Sequence, residues 1–598
     1  MNRVPALLFA LAMVVGCARR ASEAPPVADP DSRRDPPAGP VVGSIGRYGS
    51  HVWLGIPYAA APAGPRRWRA PQPAERWTED RAALTVGSAC PQFVVRLAGV
   101  EGKPGTIVGE EDCLFLNVYA PRAKPDQVPQ EGARLPVMVW IHGGGNVIGH
   151  GGFYDGGNLA ASENVVVVTI NYRLGPLGWL RHASLRGADT TPAERSGNFG
   201  TLDTIRALEW VRDNIAAFGG DPGNVTIFGE SAGGRDVFAL LESPLARGLF
   251  HRAIVESGGL RRVTLEDGEN LVDAASPGGR NSSGEQLLKL LVADGTATDR
   301  EAAKARAAAM SNDEQAGYLR GKSAAELLST YESGVVGLID VPQMFPDGVV
   351  LPTADSLASF ADPKGHATVP VLIGTNRDED KLFLFADPEN VRYLLWTVPR
   401  LRDADRFDAR AQHMAQMWKA AGADEPAAAL QRGGAPGVYV YRFDWDEQPT
   451  VLGADLGRMI GAAHVFEIPF VFGHFDLGRE ANASFVAANE PGRRELSGQM
   501  MSYWAEFARS GSPGKGRRGD LPEWKPAPAF VILDTAAGGG VHMSDETVTE
   551  EAALAGIASD PRLRTDEERC EAARATLTHA HRLVEADLPV VCRAASTS

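Results

Sequence analysis

The feature that constrains this chain most is five residues long. Gly229-Glu230-Ser231-Ala232-Gly233 stands directly behind the β-branched and aromatic run Val225 to Phe228 and ahead of a helix-forming stretch. A serine on so tight a strand-to-helix turn sits on strained backbone with its hydroxyl exposed. Its flanking positions must be glycine, because a Cβ there would strike the neighbouring strand or helix. Two glycines around a serine recur by chance in long chains. Between a buried strand and a helix the pattern is specific, and it marks Ser231 as the nucleophile.

The surroundings predict a sheet that such a turn can sit on. Val137 to Ile141 and Val165 to Ile170 are continuous apolar runs, the mark of strands buried on both faces. Leu202, Ile205, Leu208, Val211 and Ile215 recur at helical spacing between Thr201 and Phe218. Strands alternating with helices imply the α/β class, with a large, mostly parallel central sheet flanked by helices. Asp267 to Ser333 is Ala-, Lys- and Glu-rich and reads as a helical insertion over the site. Further strands are expected at Val369 to Ile373 and Val438 to Phe443, and a helix over Arg494 to Arg509. Gly511 to Gly519 reads as a basic, glycine-rich loop.

At 598 residues, with 44% apolar and 23% charged residues, the chain has the composition of a large globular α/β protein with insertions. A net charge of −15 argues against nucleic acid as a partner, since the long-range field repels phosphates. The sequence carries no metal-ligand cluster, cofactor fingerprint or internal repeat.

A second glycine-rich element, His142-Gly143-Gly144-Gly145, follows the strand Val137 to Ile141. The backbone N–H groups of Gly144 and Gly145, with that of Ala232, would hold the oxyanion of a tetrahedral intermediate. Preorganised donors of this kind are worth about 3 kcal/mol each in the barrier. A phosphate-binding loop would need a following Lys-Ser/Thr pair, which is missing.

Beyond these pieces, Gly55-Ile56-Pro57-Tyr58-Ala59, Glu111-Asp112-Cys113-Leu114, Asn171-Tyr172-Arg173-Leu174-Gly175 and Phe218-Gly219-Gly220-Asp221-Pro222 follow in order. From about Val42 to Asp534 the chain resembles the type-B carboxylesterases, the family that includes the cholinesterases. The resemblance implies an α/β-hydrolase fold, no cofactor, a small-molecule ester as substrate and a serine triad working through an acyl-enzyme. It places the triad acid at Glu379, in Gly374 to Glu379, and the base at His464, in His464 to Phe470. Ser257 matches a buried serine that supports the triad, and Cys90 and Cys113 match the family's first disulfide. Of twelve histidines only His464 carries the family motif around it; His142 reads as structural.

Five positions depart from the family pattern. Asn146 replaces an aromatic residue, Arg235-Asp236 replaces a small residue and Ser, Thr204 replaces Gln, and Asp380 replaces Gly beside the acid. None removes a catalytic atom; together they imply an altered pocket polarity. The segment Cys90 to Cys113 holds no Trp for a quaternary ammonium, which disfavours choline esters. Two rival readings remain, a non-catalytic binding or adhesion module and a long-chain lipase. The three triad side chains argue against the first, and the want of a clear amphipathic lid against the second.

The N-terminus reads as an export signal. Arg3 precedes the apolar run Ala6 to Gly16, too short to span a bilayer, and Val14-Val15-Gly16-Cys17 resembles a bacterial lipobox. Residues 1–17 are then a signal peptide ending at an acylated Cys17, 18–40 a disordered Pro/Ala/Asp/Arg-rich tether, and 41–598 the hydrolase domain. This implies an exported, membrane-anchored lipoprotein; an ordinary signal peptide with an incidental cysteine is the alternative. Cys90, Cys113, Cys570 and Cys592 form an even set that an exported protein can keep oxidised. Cys90–Cys113 would close a loop worth about 3 kcal/mol, and Cys570–Cys592 would staple the C-terminus. With acylation at Cys17, the mature protein should fractionate with membranes and Cys17→Ser should be released or mislocalised. A wild type already free of the membrane, cleaved elsewhere, would refute the anchor.

Overall fold

Runs of valine and isoleucine too apolar to face water on either side build the middle of an 11-stranded sheet in the computed structural model. It describes residues 25–95, 99–334, 337–394, 397–476, 483–579 and 592. The expected signal peptide, Cys17 and residues 18–24 lie outside the described residues. In chain order the sheet strands are β1 (Ser44–Ile45), β2 (His51–Pro57), β3 (Phe115–Ala120), β4 (Leu135–Ile141), β5 (Val166–Ile170) and β6 (Gly220–Glu230). They continue with β7 (Arg252–Glu256), β8 (Val371–Asn376), β9 (Val438–Phe443), β10 (Phe530–Leu533) and β11 (His542–Ser544). Across the sheet they run β11-β10-β9-β8-β7-β6-β4-β5-β3-β2-β1. From β10 to β5 every pairing is parallel, and both flanks are antiparallel.

Alternation along each strand supplies two cores. Val137, Val139 and Ile141 of β4 join Val166, Val168, Val225 and Ile227 in one. Met138 and Trp140 point the other way, against Val167, Phe228 and the helix Glu490–Ser510. Fully burying each such side chain is worth about 1.5–3 kcal/mol, so the centre of the sheet could not face solvent on either side.

Four helices matter for the site: α1 (Phe199–Asn214), α2 (Ala232–Glu242), α3 (Ala404–Lys419) and α4 (Glu490–Ser510). Helix α4 begins four residues before the expected Arg494, because Pro491 in its first turn needs no intrahelical donor. Strand β8 runs three residues past the expected Ile373, because its pairing with β9 continues to Asn376. The expected insertion resolves into five short helices, Leu265–Glu269, Ser283–Ala293, Arg300–Ala308, Asn312–Gly321 and Ala324–Ser329. Each has a Ser, Thr or Asp N-cap accepting from its first turn.

The tether is a correction. Residues expected to be disordered as far as Pro40 pack onto the edge of the sheet from Asp29 onward. The Asp29 carboxylate lies 3.1 Å from His51 Nε2, and the Ser32 carbonyl accepts from Trp53 Nε1 at 2.9 Å. Arg34, itself buried, donates to the Ala123 carbonyl at 2.8 Å. The polar composition that suggested disorder is spent on hydrogen bonds to β2 and its neighbours. Both expected disulfides, Cys90–Cys113 and Cys570–Cys592, are formed. The second sits with helices Glu550–Ser559 and Asp566–His579, which share a small core with Ala409 of α3.

The turn after β5 is locked by a buried ion pair. Arg173 donates twice to the Asp203 carboxylate of α1, at 2.7 Å from both Nε and Nη2. Burial nonetheless pushes the Asp203 carboxyl above its ordinary value, so desolvation exceeds the attraction of the arginine. Removing one partner of such a pair strands the other. Arg173→Met should therefore lower unfolding stability by about 3–5 kcal/mol, read from the chemical denaturation midpoint. A loss under about 1 kcal/mol would show that Asp203 finds another way to be neutralised.

Candidate active site

The centre of the site is the turn between β6 and α2. Ser231 adopts φ 58° and ψ −119°, a left-handed backbone that costs a non-glycine residue of order 1–3 kcal/mol. Close passage on both sides holds it there. Gly229 is in register with Ile141 of β4, and a Cβ on Gly229 would stand 2.6 Å from the Ile141 carbonyl oxygen. A Cβ on Gly233 would be driven into the same oxygen. The Ser231 N–H donates to the Glu256 carbonyl of β7 at 2.9 Å. Ser231 thus projects from the C-terminal edge of the sheet, where α/β folds place their ligands.

Neighbouring strands bring the other elements to the same edge. Strand β4 ends at Ile141, and a Cβ on Gly143 would come within 3.1 Å of the Ser231 side chain. Gly144 and Gly145 have φ of 95° and 65°, values that glycine adopts freely. Among the described residues no acceptor takes the N–H of Gly144, Gly145 or Ala232. Strand β8 ends at Asn376, and the carboxylate three residues on, Glu379, accepts from Asn376 N–H at 2.7 Å and lies 2.6 Å from His464 Nδ1. The His464 segment is laid against this loop by the bonds Asp378 N–H to Ala462 O (3.0 Å) and His464 N–H to Glu379 O (3.2 Å).

Glu379 and His464 are both buried. On the other side of the imidazole, Nε2 lies 3.1 Å from the Glu230 carboxylate, without hydrogen-bond angles. Burial by itself disfavours the imidazolium, yet the Glu230 and Glu379 carboxylates outweigh it and hold the His464 pKa above the ordinary histidine value. Burial pushes Glu230 strongly upward, with His464 pulling it partly back. The two therefore titrate as a pair, in which a charge on one favours a charge on the other.

The three adjacent carboxylates separate cleanly. Asp378 sits between Lys381, at 2.9 Å, and Arg377, at 2.8 Å, and accepts from Ala462 N–H at 3.1 Å. Despite opposing burial, Lys381 and Arg377 hold its pKa below the usual carboxylate range. Asp380 is buried, and desolvation together with Glu379 raises its pKa well above the ordinary value. Only Glu379 of the three is bonded to the imidazole. Ser257 follows β7 with φ 49° and donates from Oγ to Glu467 Oε1 at 3.1 Å. Asn376 donates to the other Glu467 oxygen at 2.5 Å, and burial and Glu379 push Glu467 up to about 7. His142 is structural as expected: Nδ1 lies 2.9 Å from the Gly143 carbonyl, its ring stacks on Tyr172, and burial lowers its pKa to about 4. Asn146, where the family pattern has an aromatic residue, sets its amide among buried polar groups. It is buried, donates to Asp236 at 3.2 Å and accepts from Tyr172 OH at 3.0 Å.

A cavity of about 550 Å³ opens at Ser231 and Gly145, with Phe383, Trp418, Leu338 and Arg235 in its walls. Trp418 and Phe383 also face the His464 ring, at 4.7 and 5.6 Å between centroids. Glu230, Asn376 and Glu467 stood unread inside the motifs. Trp418, Phe383 and Gln343 carried no sequence signal, since only the folded chain brings them to the serine.

The carboxylesterase family model matches residues 35–419 and 390–536, more than half of the chain. The chain belongs to this family. The chain is 37% identical over 487 residues to the para-nitrobenzyl esterase of Bacillus subtilis, covering 78% of this chain and 87% of that one. It is 34% identical to the human cocaine esterase, with 81% and 84% covered. A solved para-nitrobenzyl esterase superposes with a TM-score of 0.61 at 32% identity, over 86% of this chain and 97% of that one. A Geobacillus stearothermophilus carboxylesterase gives 0.63 at 29%, over 86% and 98%. This carboxylesterase is therefore a carboxylic-ester hydrolase with the α/β-hydrolase fold. The helices after Glu550 lie beyond the family match.

Glu230 generates a pH prediction. Its negative charge favours the imidazolium, so Glu230→Gln lowers the His464 pKa and frees the neutral imidazole at lower pH. The acid limb of the kcat/KM profile for ester hydrolysis should move to lower pH. A limb that stays in place or moves to higher pH would contradict the assignment.

Proposed function

We propose that this carboxylesterase cleaves its esters through an acyl-enzyme on Ser231, with His464 as general base and acid and Glu379 as the triad carboxylate. The observation that carries the reading is the short Glu379–His464 contact beside a serine forced into a left-handed turn at a cavity. Serine is a poor nucleophile at its free pKa. In this scheme His464 Nε2 takes the Ser231 proton as Oγ attacks the ester carbonyl, forming a tetrahedral oxyanion. The N–H groups of Gly144, Gly145 and Ala232 hold that oxyanion, having no other acceptor to satisfy. His464 then protonates the departing alcohol. A water attacks the acyl-enzyme in the reverse geometry, and the acid leaves as Ser231 regains its proton. Glu379, bonded at Nδ1, selects the tautomer with Nε2 free and stabilises the imidazolium. Ser257 supports the arrangement through Glu467 and Asn376.

The residues also weigh against the rivals. A binding module needs none of this strain or buried charge around Ser231. A long-chain lipase needs an apolar trough, and here the cavity wall carries Arg235, Arg261 and Gln343 beside Leu338 and Ile339. The reading extends to location. Two disulfides suit an oxidising compartment, and among the described residues no helix is long and apolar enough to cross a membrane. We place the protein outside the cytoplasm, held to a membrane by lipid on Cys17.

A fluorophosphonate probe should label the wild type and leave Ser231→Ala unlabelled. Glu379→Gln should fold but lose at least about 10²-fold in kcat, since the triad acid elsewhere is worth about 10⁴. Asp378→Asn and Asp380→Asn should each stay within about tenfold of the wild type, roughly 1.4 kcal/mol in the barrier. If either Asp variant is the dead one while Glu379→Gln turns over, the wrong carboxylate has been assigned.

A further inference from the structure

The cavity at Ser231 holds a cation, Arg235, to which no carboxylate is bonded among the described residues. Arg235 lies one helical turn beyond Ser231 on α2, and its N–H donates to the Ser231 carbonyl at 3.0 Å. Side chains on a helix lean toward its N-terminus, so a residue four positions on reaches back over the residue it follows. Arg235 accordingly lines the same cavity as Ser231 and Gly145. Its guanidinium is steered by a neutral group: Nη1 lies 3.4 Å from Gln343 Oε1, and Gln343 donates from Nε2 to the Gly145 carbonyl at 2.9 Å. Its Nε is buried and has no hydrogen-bond partner among the described residues.

The neighbouring charges do not cancel it. Asp236, next in sequence, is bonded to Asn146 and not to Arg235, and burial pushes its carboxyl up to about 8 against the pull of Arg235. Burial lowers Arg235 only to about 10, so it stays charged. Arg261, also in the cavity wall, adds repulsion, and its own partner is the exposed Asp340 at 3.2 Å. Arg262 is engaged by Glu242 and by the carbonyls of Pro352 and Ala354. The remaining acid of the wall, Asp355, caps the helix Ser356–Ala361. A guanidinium with a buried, unused donor and a like charge beside it is a site for a planar anion, and a carboxylate matches its fork.

We propose that this pocket selects esters that bear a second, free carboxylate, with Arg235 as the specificity-determining residue and Gln343 holding it in place. This rests on ester hydrolysis at Ser231. The Cα atoms of Ser231 and Arg235 are about 6 Å apart along the helix axis, at 1.5 Å per residue. A spacer of a few carbons between scissile carbonyl and anion therefore suits the pocket, as in the half-ester of a short dicarboxylic acid.

Two matched substrate pairs test this. Monoethyl adipate against ethyl hexanoate places the anion on the acyl half, and 4-acetoxybenzoate against its methyl ester places it on the alcohol half. Wild type should favour the anionic member of one pair by about tenfold or more in kcat/KM, chiefly through KM, as a charged hydrogen bond allows. Free adipate should inhibit competitively, and more weakly at high salt. In Arg235→Met the preference should collapse, and Arg235→Lys should restore part of it. The wild-type comparison needs no variant to fold: equal or faster turnover of the neutral member in both pairs overturns the selectivity and leaves the esterase reading intact. An unchanged ratio in a folded Arg235→Met also overturns it. Failure to hydrolyse any of the four, with no fluorophosphonate label on Ser231, overturns both readings together.

Discussion

Strand β6 must turn into α2 while β4 and β7 pass against it, and the rest of the site hangs from that crowding. The Ile141 carbonyl leaves no room for a side chain at Gly229 or Gly233, and the Glu256 carbonyl holds the Ser231 N–H. The left-handed backbone at Ser231 is what remains. The sheet, with strands buried on both faces, is stable enough to carry a local strain of about 1–3 kcal/mol. The serine is thereby presented to the cavity at the start of a helix, next to a loop whose amides are unspent and one turn from Arg235.

Around this turn the chain gathers more carboxyl groups than a dry interior can keep ionised. Glu230, Glu256, Glu379, Asp380 and Glu467 are all buried near His464 or its partners. Each charge raises the cost of the next. Glu256 accepts from Trp504 Nε1 at 2.8 Å, and burial and Glu467 push it up to about 8. Glu467 is held by Ser257 and Asn376. Burial holds Glu230, Glu256, Asp380 and Glu467 toward their neutral forms, and Glu379 is the carboxyl bonded to imidazole Nδ1. The arrangement explains why Asp380, a departure from the family's glycine, is tolerated so near: its proximity to Glu379 and its burial both favour the neutral form.

The departures from the family pattern belong together. Asn146 sits where an aromatic side chain is usual, and its amide is satisfied only because Asp236 and Tyr172 are there to bond it. Asp236 in turn is bonded to Asn146, while the Arg235 guanidinium meets Gln343 and the cavity. A single change at any of these positions would strand a buried polar group, so the polarity of the pocket is a property of the set.

The sequence by itself determined the elements whose physics is local. Continuous β-branched runs announced β4 and β5, the spacing of Leu202 to Ile215 announced α1, and two glycine-rich turns behind strands announced Ser231 and the Gly143–Gly145 loop. Family motifs added Glu379, His464 and the Cys90–Cys113 pair, while periodicity could not have found them. Asp29 to Pro40 misled because polar, proline-rich composition has the same look whether its groups face water or bond to β2. Only the tertiary structure decided that Glu230 crowds the far side of the imidazole, and that Trp418, Phe383 and Gln343 wall the pocket. Those relations join residues far apart in the sequence, and they are set by strand order and register, which no local pattern encodes.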